Sequence, residues 1–170
     1  MGQDEVYHLE YIWKIEGPID IVFHYLGHAT TFPQWWRPVF LDSRSDAKEP
    51  FVGAKATVRA KSFLPYVLDW DLIVSRLEPP HLIELDSHVT LSNRFELTGS
   101  ILYRLEEEGP IVKVISEQYM RPKRSIPRFL RPLAARLFKF NHAWAMAHGE
   151  KGLQQIVRET LESRKHHAEE

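Results

Sequence analysis

From Tyr7 to Ile15 the chain alternates, with Tyr7, Leu9, Tyr11, Trp13 and Ile15 set against His8, Glu10, Ile12 and Lys14. A period of two predicts a half-buried strand. Gly17-Pro18 ends it, and Pro18 with Asp20 opens a short helix over Ile19–Leu26. Ile19, Val22, Phe23 and Leu26 share one face of that helix, and Gly27 stops it. Thr30 or Thr31 can cap a second short helix through Trp35-Trp36, which Pro38 prevents from continuing.

The middle of the chain reads as strand and turn. Val39–Ser43 is a short strand, and from Gly53 to Ser62 Ala54, Ala56, Val58 and Ala60 alternate with Lys55, Thr57, Arg59 and Lys61. Tyr66, Leu68, Trp70, Leu72 and Val74 repeat the pattern, Glu78-Pro79-Pro80 turns, and His81–His88 is a further strand. Phe95–Leu105 and Ile111–Met120 form a hairpin around Glu106-Glu107-Glu108-Gly109-Pro110, and Pro122 ends the last strand. One sheet face is apolar and the other charged, so something must cover the first.

The last third supplies the cover. A helical pattern from Ser125 to Ser163 spans 39 residues, about 58 Å at the usual rise. Leu130, Leu133, Leu137, Phe140 and Trp144 define one stripe, and Met146, Gly149, Leu153, Ile156 and Thr160 another, more than about 100° away. With Pro127 and Pro132 early on, the pattern predicts a first helix to about Phe138, a bend or break near Asn141, and a second helix to about Ser163. The architecture is α+β: about six to seven antiparallel strands in one curved sheet, two short helices after the first strand, and a long C-terminal helix enclosing a space.

Composition narrows the function. The 170 residues suit one domain, and 44% hydrophobic and 12% aromatic content is ample for a core. No cysteine is present, so disulfides, thiol nucleophiles and Cys-based zinc sites are excluded. That fits a reducing cytoplasm. The acidic start Met1-Gly2-Gln3-Asp4-Glu5 has no apolar stretch of a secretory signal, and no window reaches the ~18 apolar residues of a membrane span. Nine histidines are scattered without metal-ligand spacing; no metal or cofactor is expected.

Charge is uneven. Seven of the 22 basic residues fall between Gln118 and Gly149 (Arg121, Lys123, Arg124, Arg128, Arg131, Arg136 and Lys139), a stretch with no acid. The rest of the chain carries 15 basic and 23 acidic residues, a net of −8. Over about 122–140 this reads as a basic amphipathic elaboration, with Phe129, Leu133 and Phe140 among the cations. An anionic membrane, a partner, or only the domain's own body could receive it. Nucleic acid is not expected, because the patch is short and the chain as a whole is not basic.

Three segments carry a resemblance: Gly17-Pro18-Ile19-Asp20-Ile21-Val22-Phe23, then Thr31-Phe32-Pro33-Gln34-Trp35-Trp36, then Trp144 to Leu153. With the element order, they resemble the START/Bet v 1-like (SRPBCC) superfamily, in particular its polyketide cyclase/dehydrase and lipid-transport branch. The resemblance implies a helix-grip fold over nearly the whole chain and an apolar cavity between sheet and last helix. The superfamily includes carriers, receptors and cyclases, so the ligand stays open.

On that expectation the wall is Trp36, Ala56, Trp70, Tyr103 and Trp144, with Gln118, Asn141 and His142 orienting the polar end of a hydrophobic or lipid-like molecule. Ser87 and Ser116 are further polar residues on inner faces, and His148 follows one or two turns after His142. A cyclase- or dehydratase-type enzyme would need a base, for which His142 is the best candidate. A third reading is a membrane or partner surface built on Arg124, Arg128, Phe129, Arg131, Leu133, Arg136 and Lys139. Oligomeric state is open, since the same apolar face could be buried in a dimer.

Overall fold

The alternation of the first strand survives in three dimensions. In the computed structural model, which describes residues 6–63, 65–92, 95–123, 129 and 131–168, β1 (Tyr7–Glu16) buries Tyr7, Leu9, Trp13 and Ile15, half-buries Tyr11, and exposes His8, Glu10, Ile12, Lys14 and Glu16. Two helices follow, α1 (Ile19–Gly27) and α2 (Phe32–Trp35), joined through a 3₁₀ turn at Ala29–Thr31. Six more strands then run β2 (Phe40–Ser45), β3 (Lys55–Lys61), β4 (Val67–Glu78), β5 (Leu82–Ser92), β6 (Phe95–Glu108) and β7 (Ile111–Pro122) before α3 (Arg131–Ala168). All seven strands form one antiparallel sheet in the order β1-β7-β6-β5-β4-β3-β2. Consecutive strands β1 and β2 therefore lie at opposite edges, and α1 and α2 carry the chain across. Register shifts at Phe40/Asp42, Val74/Arg76 and Thr90/Ser92 mark the bulges that bend such a sheet.

The outer face is polar as the alternation requires. Arg59 pairs with Asp69 at 3.0 Å, and the Thr57 hydroxyl donates to Asp71 across the same two strands. Exposed pairs of this kind contribute little, about 1 kcal/mol at most. The inner face gathers Val58, Leu72, Ile83, Ile101, Leu105 and Val114 into the main core. A smaller cluster forms around Tyr7, Val89, Leu97 and Met120.

Two expectations are corrected. Neither Thr30 nor Thr31 caps α2 with its side chain. The Thr31 hydroxyl instead donates to the carbonyls of His28 and Tyr25 and accepts from Trp35 Nε1. The second concerns the last helix: α3 is one continuous helix of 38 residues with no break at Asn141, and it runs past Ser163 to Ala168. Pro132 sits in its first turn, where a missing N–H removes no helical hydrogen bond. The two apolar stripes do not mark a bend. They are two sides of one helix: Leu133 and Phe140 of the first face out, Leu137 borders the cavity and Trp144 packs half-buried on the core, while the second grips the sheet. Leu133 and Phe140 are exposed, whereas Met146, Leu153 and Val157 are fully buried. Pro127 and Leu130, like Arg124 and Arg128, lie outside the described residues.

The grip has a polar component. β1 is an edge strand, and its outward N–H groups need partners. Lys14 N–H donates to Glu150 Oε1 at 3.1 Å and Glu16 N–H to Gln154 Oε1 at 2.8 Å, while Gln154 Nε2 donates back to the Glu16 carbonyl. At two glycines α3 approaches closely. A Cβ on Gly152 would fall 1.6 Å from the Trp35 carbonyl oxygen, and one on Gly149 would lie 2.6 Å from the Trp36 ring.

Candidate functional site

Where the first half of α3 crosses the sheet, packing is incomplete. A cavity of about 320 Å³ remains between the helix, α2 and strands β4 to β7. Its floor is the inner face of the sheet, with Leu68, Trp70, Leu85, Ile101, Tyr103 and Met120 pointing up. Phe32, Trp36 and Phe40 close one side, and Ala134, Phe138, Ala145 and Met146 of α3 form the roof. Alanines at 134 and 145 leave the space beneath the helix open; larger residues there would fill it.

Trp36 fixes the geometry of the roof. Its Nε1 donates to the Ala145 carbonyl at 2.7 Å, and its ring stacks on Trp35 and meets Trp13 edge-on at 5.2 Å between centroids. The floor is similarly tied: Trp70 Nε1 donates to the hydroxyl of Ser87, a buried serine on the adjacent strand. Polar groups of the wall are thus mostly satisfied, which leaves the exceptions informative.

His142 is the clearest exception: its Nε2 is buried without a partner, and its ring meets Tyr11 edge-on. Gln118, 4% exposed between Leu9 and Ile101 on the neighbouring strands, adds an amide to the same wall. Burial lowers the His142 pKa to about 4, so the imidazole is neutral near pH 7. Burial also pushes the Tyr103 phenol far up, so it stays protonated. No Asp, Glu, Lys or Arg lines the cavity among the described residues.

Of the residues expected at the site, Trp36, Trp70, Tyr103, Gln118, Asn141 and His142 line the cavity. Asn141 is largely spoken for, because its Oδ1 accepts from the Ser62 hydroxyl at 2.7 Å and the Phe63 N–H at 2.9 Å. It pins the β3–β4 turn to α3. Ala56 and Trp144 do not line the cavity. Ala56 pairs across the strands with Leu72 and lines a separate cleft beside α1, and Trp144 packs half-buried against the main core, with its ring 4.9 Å from that of His148. The small roof residues Ala134 and Ala145 escaped sequence reading. Their signal was their spacing with Phe138, Asn141 and His142 on one side of the helix, legible only once the helix is known to be unbroken.

The neutral His142 has a measurable consequence. Its folded pKa lies below the ordinary histidine value of about 6.5, so the unfolded chain takes up a proton first as pH falls. The associated stability is intact above about pH 6.5 and lost progressively toward pH 4, by up to about 3 kcal/mol. Urea unfolding of wild type and His142→Gln at pH 7 and pH 4 should show a smaller acid loss in the variant. Equal losses would mean that the imidazole is not buried in this way.

The chain matches no protein-family model and no curated protein sequence. Solved structures do resemble it. A START superfamily protein from Mycobacterium smegmatis superposes with a TM-score of 0.66 at 11% identity, covering 90% of this chain and 98% of that one. The Zhui aromatase/cyclase from Streptomyces sp. R1128 gives 0.71 at 10% identity, with 92% and 96% covered. A major latex-like protein from Panax ginseng gives 0.55 at 13% identity, with 81% and 97% covered. The fold is therefore the START/Bet v 1-like helix-grip fold. Identities this low speak to fold and not to chemistry.

Proposed function

We propose that this protein, as a single domain, binds and transfers a neutral, mainly apolar small molecule in the cavity between the sheet and α3. The observation that carries the reading is a mainly apolar cavity whose wall holds the unpartnered His142 Nε2 and the buried Gln118 amide. A buried polar group left without a partner costs on the order of 1–3 kcal/mol, and a ligand carbonyl or hydroxyl removes that cost. Gln118 both donates and accepts, so either group suits it. The absence of ionised wall residues among those described argues for an uncharged ligand. At about 320 Å³ the space is near the lower end of the ligand-pocket range. That favours a fused-ring compound or a single short acyl chain over a two-chain lipid.

Native mass spectrometry of the purified chain tests this directly. A bound small mass, or a shift with a panel of neutral polycyclic and acyl compounds, is expected. Gln118→Leu should weaken binding about tenfold, the loss of one hydrogen bond. A chain that carries nothing and shifts with no member of the panel overturns the reading.

A second reading, a cyclase or dehydratase with His142 as base, draws support from the likeness to the Streptomyces aromatase/cyclase. It ranks below binding for a physical reason. With a pKa of about 4, the imidazole is free to accept a proton at pH 7 but holds it weakly.

A further inference from the structure

The outward stripe of α3 is the largest feature that ligand binding leaves unexplained. Leu133 and Phe140 are each 57% exposed, and Leu137 lies beside them on the same face. Phe129, just before the helix, is 81% exposed. The stripe is joined by a second element, because Phe63 of the β3–β4 turn meets Phe140 edge-on at 4.7 Å, and Val67 at the start of β4 is also exposed. Asn141 holds this turn and helix together through the hydrogen bonds to Ser62 and Phe63. The apolar patch is thus built on two pinned elements. It is also continuous with the cavity, since Leu137 belongs to both.

Charge chooses the occupant. Arg136 and Lys139 flank the stripe on α3 and Lys61 stands two residues before Phe63, all exposed. No acid occurs between Gln118 and Gly149. The next charges along the hairpin, Arg59 and Asp69, cancel each other at 3.0 Å. A second copy of this chain meeting the first through the same face would bring like cations together. An anionic lipid surface satisfies both the aromatic and the basic groups.

We propose that this end of the molecule docks on anionic membranes, with Leu133, Phe140 and Phe63 entering the headgroup boundary and Arg136, Lys139 and Lys61 meeting lipid phosphates and carboxylates. No helix of the described residues is long and apolar enough to cross a bilayer, so the contact is peripheral. Docking would set the part of the cavity wall at Leu137 against the bilayer. The proposal stands whether or not the cavity is the ligand site.

Co-sedimentation of the full chain with phosphatidylcholine vesicles, with and without phosphatidylserine, tests it at low and high salt. Binding is expected only to the phosphatidylserine vesicles and should fall with salt. Leu133→Ser/Phe140→Ser should lower the partition coefficient about tenfold or more. Arg136→Glu/Lys139→Glu should remove the preference for phosphatidylserine, at about fivefold per cation. Thermal unfolding of both variants should match wild type, because every altered side chain is exposed. No vesicle binding by the wild type, or equal binding to both vesicle types, overturns the proposal. So does a dimer in sedimentation velocity that Leu133→Ser disperses, which would assign the stripe to a second copy. Uptake of an apolar dye without vesicles reports on the cavity separately and should persist in these variants.

Discussion

Gly152→Ala lowers stability by about 3 kcal/mol, a fall of roughly 6–12 °C in melting temperature for a chain of this size. The direction is opposite to the usual helix effect, in which alanine is favoured over glycine by about 1 kcal/mol. Here the added Cβ would lie 1.6 Å from the Trp35 carbonyl oxygen, a backbone atom that cannot rotate away. Either α3 lifts from α2 or the Trp35-Trp36 segment shifts, and in both cases the Trp36–Ala145 hydrogen bond is strained. Gly149→Ala should cost less, because its nearest neighbours are indole ring atoms of Trp36 and Trp13 that can tilt. Calorimetry of the two variants checks the order. A stabilised Gly152→Ala would show that α3 does not sit this close.

These glycines show where sequence reading stops. Gly149 was placed on the gripping stripe, but nothing local to Gly149 or Gly152 signals that an indole or a carbonyl presses against it. The strands were legible because alternation is a local pattern, and the register of β1 with β7 leaves that pattern intact. The pairing of β1 with β7, by contrast, joins the first and last strands of the chain and is written in neither strand alone. The break near Asn141 was misread for a related reason. Periodicity reports that a helix has an apolar side and cannot report whether the fold covers it. Leu133 and Phe140 look like core and are on the outside. Trp144, on the same stripe, packs half-buried on the core and does not line the cavity. Trp70, Tyr103 and Gln118 line the cavity, and their shared face is legible because sheet alternation assigns faces without tertiary information.

Ala145→Phe abolishes ligand binding while leaving the fold in place. Ala145 lines the cavity roof, and a phenyl ring there would take up part of the roughly 320 Å³ of open space. The Ala145 carbonyl still accepts from Trp36, since that bond uses only backbone on the helix side. Affinity for any cavity ligand should drop at least about a hundredfold, by loss of the volume that buries it. Melting temperature should hold or rise, because burying a phenyl ring in an apolar void adds about 1.5–3 kcal/mol against the strain of fitting it. Titration calorimetry and thermal unfolding on one sample read both effects. Unchanged affinity in a folded variant would place the ligand elsewhere.

The sealing of β1 by α3 bears on how the chain is made. The Lys14–Glu150 and Glu16–Gln154 hydrogen bonds join residues 136 and 138 positions apart. Until residue 154 has left the ribosome, the first strand has one open edge with no helix to cap it, and until β7 is made it has no pairing strand at all. Nascent chains therefore spend most of their synthesis with an exposed strand of high β propensity. Contacts of this sequence separation form late, since closing so long a loop slows folding.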